Sequence, residues 1–280
     1  MLSPGRLLAT LAFGLLLLFP AKGQKKSDRD LDGLHGPVKT VRTEIASLDQ
    51  EGKPDQNGRW LSRMTSYDSS GNKTEDETFY AFGKNSNGKY VYTYDAAGNR
   101  IEEAKYLNDS VYKTTYIYND KRQLIREIKH EGAFHTEYVY DAEGKLIETK
   151  GVYGENSVAS HFVYIYDSQG QMIKKRRYGG GLDFEQIKTY TPNGQVASEA
   201  NGSDPKAPLY RRVEYASDDK GNVVERIEYG NKGLEDRSTY SYEFDAFGNW
   251  IKRIASREWD SWAKGPVRQT EASYRLITYY

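Results

Sequence analysis

Residues 138–150 read YVYDAEGKLIETK, and the phrase returns as YTYDAAGNRIEEA at 92–104, YIYDSQGQMIKKR at 164–176 and YEFDAFGNWIKRI at 242–254. In D-x-x-G the aspartate carboxylate can accept a hydrogen bond from the backbone two residues on. The two middle residues suit a type I turn, and glycine supplies the left-handed conformation that follows. The flanking residues alternate with period two, as half-buried strands do. Each phrase therefore predicts a strand, a tight turn and a second strand.

Eight units align on the turn position, at Gly71, Gly98, Arg122, Gly144, Gly170, Gly194, Gly221 and Gly248, with spacings of 27, 24, 22, 26, 24, 27 and 27 residues. A fainter copy, Leu48-Asp49-Gln50-Glu51-Gly52-Lys53, precedes them. A regular period of this length marks a repeat architecture. Second connections between units are also turn-rich, as at Asn108-Asp109, Glu131-Gly132, Gly179-Gly180-Gly181 and Gly230-Asn231-Lys232-Gly233. The expected fold is all-β: a curled antiparallel sheet of repeated β-hairpins, about 16–18 strands, in a single domain over residues 35–280.

The turn type predicts the pairing. Asp141 is expected to face Lys145, Tyr140 to face Leu146, and Val139 to face Ile147; the same count sets Ile165 against Ile173 and Ile117 against Ile125. One face then carries an aliphatic ladder of Ile101, Ile125, Ile147, Ile173, Val224 and Ile251, weakened at Thr74 and Ala197. Glu103, Glu127, Lys129 and Lys175 are expected to share that face. The opposite face carries the Tyr pairs, such as Tyr92/Tyr94, Tyr138/Tyr140 and Tyr164/Tyr166, with Arg126, Glu148 and Lys174. The unit Tyr190-Thr191-Pro192, with Thr in place of Asp, is expected to be an irregularity or bend.

Residues 1–23 stand apart. Arg6 is the only charge before the run LLATLAFGLLLLFP, and Ala21-Lys22-Gly23 offers small residues where a signal peptidase reads. The stretch reads as a secretory signal peptide cleaved before Gln24, followed by a polar linker over 24–34. This implies an exported protein: periplasmic, cell-surface or secreted. No later segment has the apolar length of a membrane-spanning helix. Removing Arg6 and Lys22 leaves 38 basic against 40 acidic side chains. That balance argues against nucleic acid as a partner, because phosphate binding needs a cationic face. There are no cysteines, so packing and backbone pairing alone hold the chain. The 24 tyrosines among 280 residues suit a pleated surface that packs the ring and leaves the hydroxyl wet.

The pattern Y-D-x-x-G-[NK] followed by aliphatics resembles the YD repeat of Rhs-type proteins, over roughly residues 35–280. The resemblance implies a curling antiparallel sheet of hairpins, which in large members winds into a shell around a C-terminal toxin. This chain has few units and no toxin domain after them, so the resemblance implies fold and export only. It brings no catalytic residues, because short stand-alone members are without an established activity.

The residues themselves offer little chemistry. His130 and His135 flank a hairpin, but a metal site wants three or four ligands. Asp28-Arg29-Asp30-Leu31-Asp32-Gly33 opens like a calcium loop, yet its twelfth position is Lys39 instead of Glu. No nucleophile has a readable base, and no glycine loop precedes a helix. No catalytic residue, metal or cofactor is expected. Trp259 and Trp262 fall in the connection before the last strand, where they either hold a sugar or plug the end of the sheet; Trp250 reads as core. The candidate ligand-binding residues are Trp259, Trp262, Tyr138, Tyr140, Tyr164 and Tyr166. The expected function is a non-enzymatic exported protein whose Tyr-rich surface binds cell-envelope polysaccharide or a protein partner. A structural shell for another exported protein, a polysaccharide-acting enzyme and an outer-membrane barrel are the alternatives. The barrel needs one continuous apolar face, which the charges on both faces interrupt.

Overall fold

The computed structural model describes residues 26–49, 51–55, 58–80, 86–129, 132–155, 157–178, 184–202, 209–261 and 265–280. The signal-peptide stretch, His130, Trp262 and the Gly179-Gly180-Gly181 loop lie outside the described residues. After a four-residue helix, α1 (Asp28–Leu31), come eighteen strands. They are β1 (Val38–Ser47), β2 (Trp60–Tyr67), β3 (Lys73–Phe79), β4 (Ser86–Tyr94), β5 (Arg100–Leu107), β6 (Ser110–Tyr118), β7 (Leu124–Lys129), β8 (Phe134–Tyr140) and β9 (Leu146–Tyr153). They continue as β10 (Ser157–Tyr166), β11 (Met172–Tyr178), β12 (Phe184–Tyr190), β13 (Val196–Gly202), β14 (Arg211–Ser217), β15 (Val223–Gly230), β16 (Gly233–Phe244), β17 (Trp250–Ser261) and β18 (Gly265–Tyr279).

Each strand pairs antiparallel with the next. The last then pairs antiparallel with the first, from Val38↔Tyr279 to Ser47↔Glu271. The expected curled sheet is therefore a closed eighteen-stranded barrel. Closure removes both sheet edges, whose unpaired N–H and C=O groups would otherwise template aggregation.

The turns form as the sequence predicts. The Asp141 amide donates to the Lys145 carbonyl at 2.9 Å and the Gly144 amide to the Asp141 carbonyl at 3.1 Å. The Asp141 carboxylate accepts the Lys145 amide at 2.7 Å. Gly144 has φ +84°, which an L side chain resists. The Thr191 unit is no bend: Thr191 Oγ1 accepts the Gln195 amide at 3.1 Å, standing in for the aspartate. The faint copy at Asp49 makes the same turn, its amide donating to the Lys53 carbonyl at 2.8 Å.

Beyond the turn the pairing departs from expectation. Tyr140 does face Leu146, but Val139 faces Glu148 and Ile147 has no partner. Ile165 faces Lys174, and Ile117 faces Arg126. All eight hairpins carry this shift, leaving Thr74, Ile101, Ile125, Ile147, Ile173, Ala197, Val224 and Ile251 as the extra residue. A bulge of one residue moves every later side chain on its strand to the other face. Hence Glu103, Glu127, Lys129 and Lys175 share the tyrosine face, and Arg126, Glu148 and Lys174 the opposite one, the reverse of the predicted assignment. The repeated bulge also adds local twist, which helps the sheet curl.

The aliphatic side chains just before the turns distinguish the two faces. Tyr164 and Asp236 are buried on the tyrosine face, whereas Ile117 (39 %), Val139 (38 %) and Ile165 (37 %) on the other face are exposed. The tyrosine face thus lines the inside of the ring. The outer face carries ion pairs around the barrel, including Lys89–Glu75, Lys113–Glu102, Arg126–Glu137, Arg176–Glu185, Arg237–Glu225 and Lys252–Glu243.

The segment after the expected signal peptide is docked on the inner wall at the turn end. The Ser27 side chain and the Asp30 carboxylate form a capping box on α1. Asp28 accepts the Lys73 amide at 3.0 Å and Arg100 Nη2 at 3.2 Å, and lies against the Tyr94 hydroxyl. Asp32 accepts the Tyr67 hydroxyl and pairs with Lys73 at 2.8 Å. The calcium-like aspartates are thus committed to protein cations and hydroxyls, and no group of metal ligands occurs among the described residues. Leu34 then enters an apolar cluster with Val38, Val41 and Tyr67, against which Ile277 and Tyr279 pack.

Candidate functional site

Eighteen strands make a ring wide enough to leave a lumen, and its lining is aromatic and ionic. Inner side chains recur at fixed heights because each hairpin repeats the last. In five of the eight hairpins a tyrosine immediately before the turn donates its hydroxyl to a backbone carbonyl of the preceding hairpin. Tyr94 reaches Lys73 (2.7 Å), Tyr118 reaches Arg100 (2.8 Å), Tyr140 reaches Leu124 (2.9 Å), Tyr166 reaches Leu146 (2.7 Å) and Tyr190 reaches Met172 (2.6 Å). In the last hairpin Phe244 holds that position, and Tyr242, two residues earlier, reaches Val223 at 2.8 Å. Burial pushes the Tyr118, Tyr140 and Tyr166 hydroxyls up to about 12.

The tyrosine two residues earlier looks further into the lumen. Tyr138 donates to Glu127 at 2.8 Å, Tyr116 to Glu103 at 3.4 Å, and Tyr164 shares a 3.1 Å hydrogen bond with Thr149. Arg100 lies 4.3 Å from the Tyr92 ring centre, and Lys175 lies 4.3 Å from that of Phe162. Burial holds the Glu103 carboxyl above its ordinary value against the pull of Arg100, with Glu127 adding to the rise. Burial also lowers the Lys175 ammonium, helped by Lys188. Away from the turns, Tyr90, Glu103, Lys105, Leu107, Tyr112 and Lys129 help line a cavity of about 320 Å³.

The other wall is richer in arginine. Arg63 Nε donates to Asp76 at 2.7 Å. Asp236, also buried, takes Arg226, Arg257 and the Ser238 hydroxyl, while Glu228 takes Arg211 and Arg226. Trp250 meets Arg275, whose guanidinium lies 3.5 Å from the indole centre, and Arg253 at 5.5 Å. Trp250, expected as core, is therefore a lumen residue stacked on charge.

Of the residues singled out from sequence, Tyr138, Tyr140, Tyr164 and Tyr166 share one inner wall on β8 and β10. Their roles divide: Tyr140 and Tyr166 are spent on backbone carbonyls, while Tyr138 and Tyr164 bond to side chains. Trp259 lies within β17 instead of a connection, opposite Asp236 and Val267 and 5.0 Å from the Arg257 guanidinium. It is seven strands round the ring from Tyr166 and is not brought together with the tyrosines. The inner arginines Arg63, Arg226, Arg253 and Arg275 were not singled out, because the bulge that turns Arg253 and Arg226 inward hides their face from a count by twos.

No family model matches the chain, and no curated protein matches it. Among solved structures, a porin-like protein from Bacteroides uniformis aligns with 12 % identity and a TM-score of 0.47, covering 87 % of this chain and 99 % of that one. The Tc holotoxin pore of Photorhabdus luminescens aligns at 13 % identity and a TM-score of 0.37, over 78 % of this chain and 14 % of that one. A TcdB2–TccC3 structure aligns at 12 % identity and a TM-score of 0.39, over 84 % and 15 %.

Proposed function

We propose that the chain is an exported, non-enzymatic binding barrel that stands in water and holds cell-envelope glycan against its inner wall. The observation that carries this reading is the lining. Flat aromatic faces alternate with carboxylates, guanidiniums and hydroxyls, the combination that packs on a sugar ring and bonds its hydroxyls. The outer face supports the aqueous setting, because ion pairs ring the barrel where a lipid-facing wall needs a continuous apolar band. The expected export rests on the signal-peptide stretch at 1–23.

Pull-down on peptidoglycan and a glycan array, with the protein recovered from cells expressing the full chain, test the reading. Binding that is weakened by Tyr138→Ala or Tyr116→Ala, with the melting temperature nearly kept, supports it. Absence of binding to every envelope polymer overturns it. One observation favours a second reading, a shell for another exported protein: the hydroxyls of Tyr94, Tyr118, Tyr140, Tyr166 and Tyr190 all go to the wall itself. Recovery of one stoichiometric protein partner, with no glycan, decides for it.

A further inference from the structure

Most lumen arginines meet a carboxylate: Arg63 has Asp76, Arg100 has Asp28, Arg211 has Glu228, and Arg226 and Arg257 share Asp236. Arg253 and Arg275 do not. They stand on neighbouring strands: Arg253 on β17 pairs directly with Ser273 on β18, and Arg275 follows two residues after Ser273 on the same face. Both lie against the single indole of Trp250. The Nε of each is buried and has no hydrogen-bond acceptor. Arg253 Nη2 donates to Ser273 Oγ at 3.3 Å.

Two converging guanidiniums repel each other, and burial amplifies the repulsion. Burial lowers the Arg275 guanidinium to about 10, the Tyr67 hydroxyl opposes this, and the charge of Arg253 adds to it. The surrounding groups do not resolve the conflict. Asp32, on the N-terminal segment, is already engaged by Tyr67 and Lys73. Arg63 on β2 adds a further positive charge. Glu271 on β18 faces Ala255, and burial raises its carboxyl towards the neutral form against the pull of Arg253. Tyr240 offers its ring to Arg253 at 5.7 Å.

We propose that Arg253 and Arg275, with the Ser273 hydroxyl beside them and Trp250 as their flat support, form an oxyanion site in the lumen wall that takes a carboxylate or phosphate group borne on a sugar. Guanidinium forks match the spacing of such oxygens and bind them in pairs. The sugar part rests on the glycan reading above, whereas the oxyanion part stands without it.

The test is a thermal melt of the protein expressed from the full chain, at constant ionic strength, with sodium chloride, inorganic phosphate, glucuronate or glucose. Phosphate or glucuronate is expected to raise the melting temperature saturably, and chloride is not. R253Q and R275Q each weaken the apparent affinity by about tenfold or more, the scale of one lost charge-assisted contact. R275K keeps the charge but loses the fork, and is expected to weaken it as well. That variant carries the test should the glutamine variants fail to fold. A response to phosphate with none to glucuronate upholds the oxyanion site while counting against a uronic-acid ligand. Glycan binding without any anion response leaves the glycan reading in place and overturns this one. A saturable response equal in wild type, R275Q and R275K overturns it too.

Discussion

The hairpins of the barrel body and the seam where the ring closes are built differently. From β6 to β13 one recipe repeats: a side chain at the first turn position that caps the turn, a one-residue bulge, and a tyrosine that reaches the preceding hairpin. At the seam the same turn acquires other work. The Asn249 side chain, 2 % exposed, accepts the His35 amide at 2.7 Å and donates to the His35 carbonyl and the Tyr279 hydroxyl, each at 2.9 Å. The apolar cluster of Leu34, Val38, Val41 and Tyr67 lies there too. A repeat can propagate itself with local bonds, but joining its two ends needs contacts that no internal unit makes.

Alkaline pH is expected to produce the largest effect, because it strikes the body stitches together. Tyr118, Tyr140 and Tyr166 rise from an ordinary 10.0 to about 12 through burial. The native state therefore keeps protons that the unfolded chain releases above pH 10. Their stabilisation is complete below pH 10 and is lost as pH climbs through 12. Absorbance of tyrosinate and far-ultraviolet circular dichroism, followed together, should show ionisation and unfolding in one cooperative step.

Next come the seam residues. Leu34→Ala should cost about 2–4 kcal/mol by urea denaturation, as a buried leucine does, against less than about 1 kcal/mol for the exposed Val139→Ala. Asn249→Ala should cost about 2–3 kcal/mol, since it strands the amide and carbonyl of His35. Asn222→Ala, whose side-chain amide bonds to its own turn aspartate, should cost about 1 kcal/mol or less. Equal costs would erase the distinction between body and seam.

Smaller effects sharpen the body. Gly144→Ala should destabilise by about 1 kcal/mol at φ +84°. Arg122 stands at the equivalent turn position with φ +61°, so Arg122→Gly should have the opposite sign, up to about 1 kcal/mol. Tyr140→Phe removes one 2.9 Å stitch and should cost about 0.5–1.5 kcal/mol.

Much of the fold was legible in the residues. The Asp141–Gly144 turn, the Tyr140–Leu146 pair and the antiparallel character follow from side-chain chemistry within a few positions. The bulge was not legible, because an Ile147 that faces a partner and an Ile147 left unpaired have the same sequence. That one residue reversed the assignment of Glu127, Lys129 and Lys175. The candidate site suffered in the same way: Tyr138 and Tyr164 could be singled out by composition, whereas the convergence of Arg253 and Arg275 on Trp250 depends on which face each strand turns inward.

The sequence by itself determined the hairpin, its turn and its repetition, since each is encoded by residues that touch within one unit. Only the tertiary structure decided that the sheet closes, which face becomes the lumen, and what residues 28–36 do. Closure is the sum of small twists and bulges over eighteen strands, settled where β18 meets β1. The residues that meet there, Asn249 with His35 and Ile277 with Val41, are separated by most of the chain. Local chemistry cannot specify such a meeting until the ring has formed.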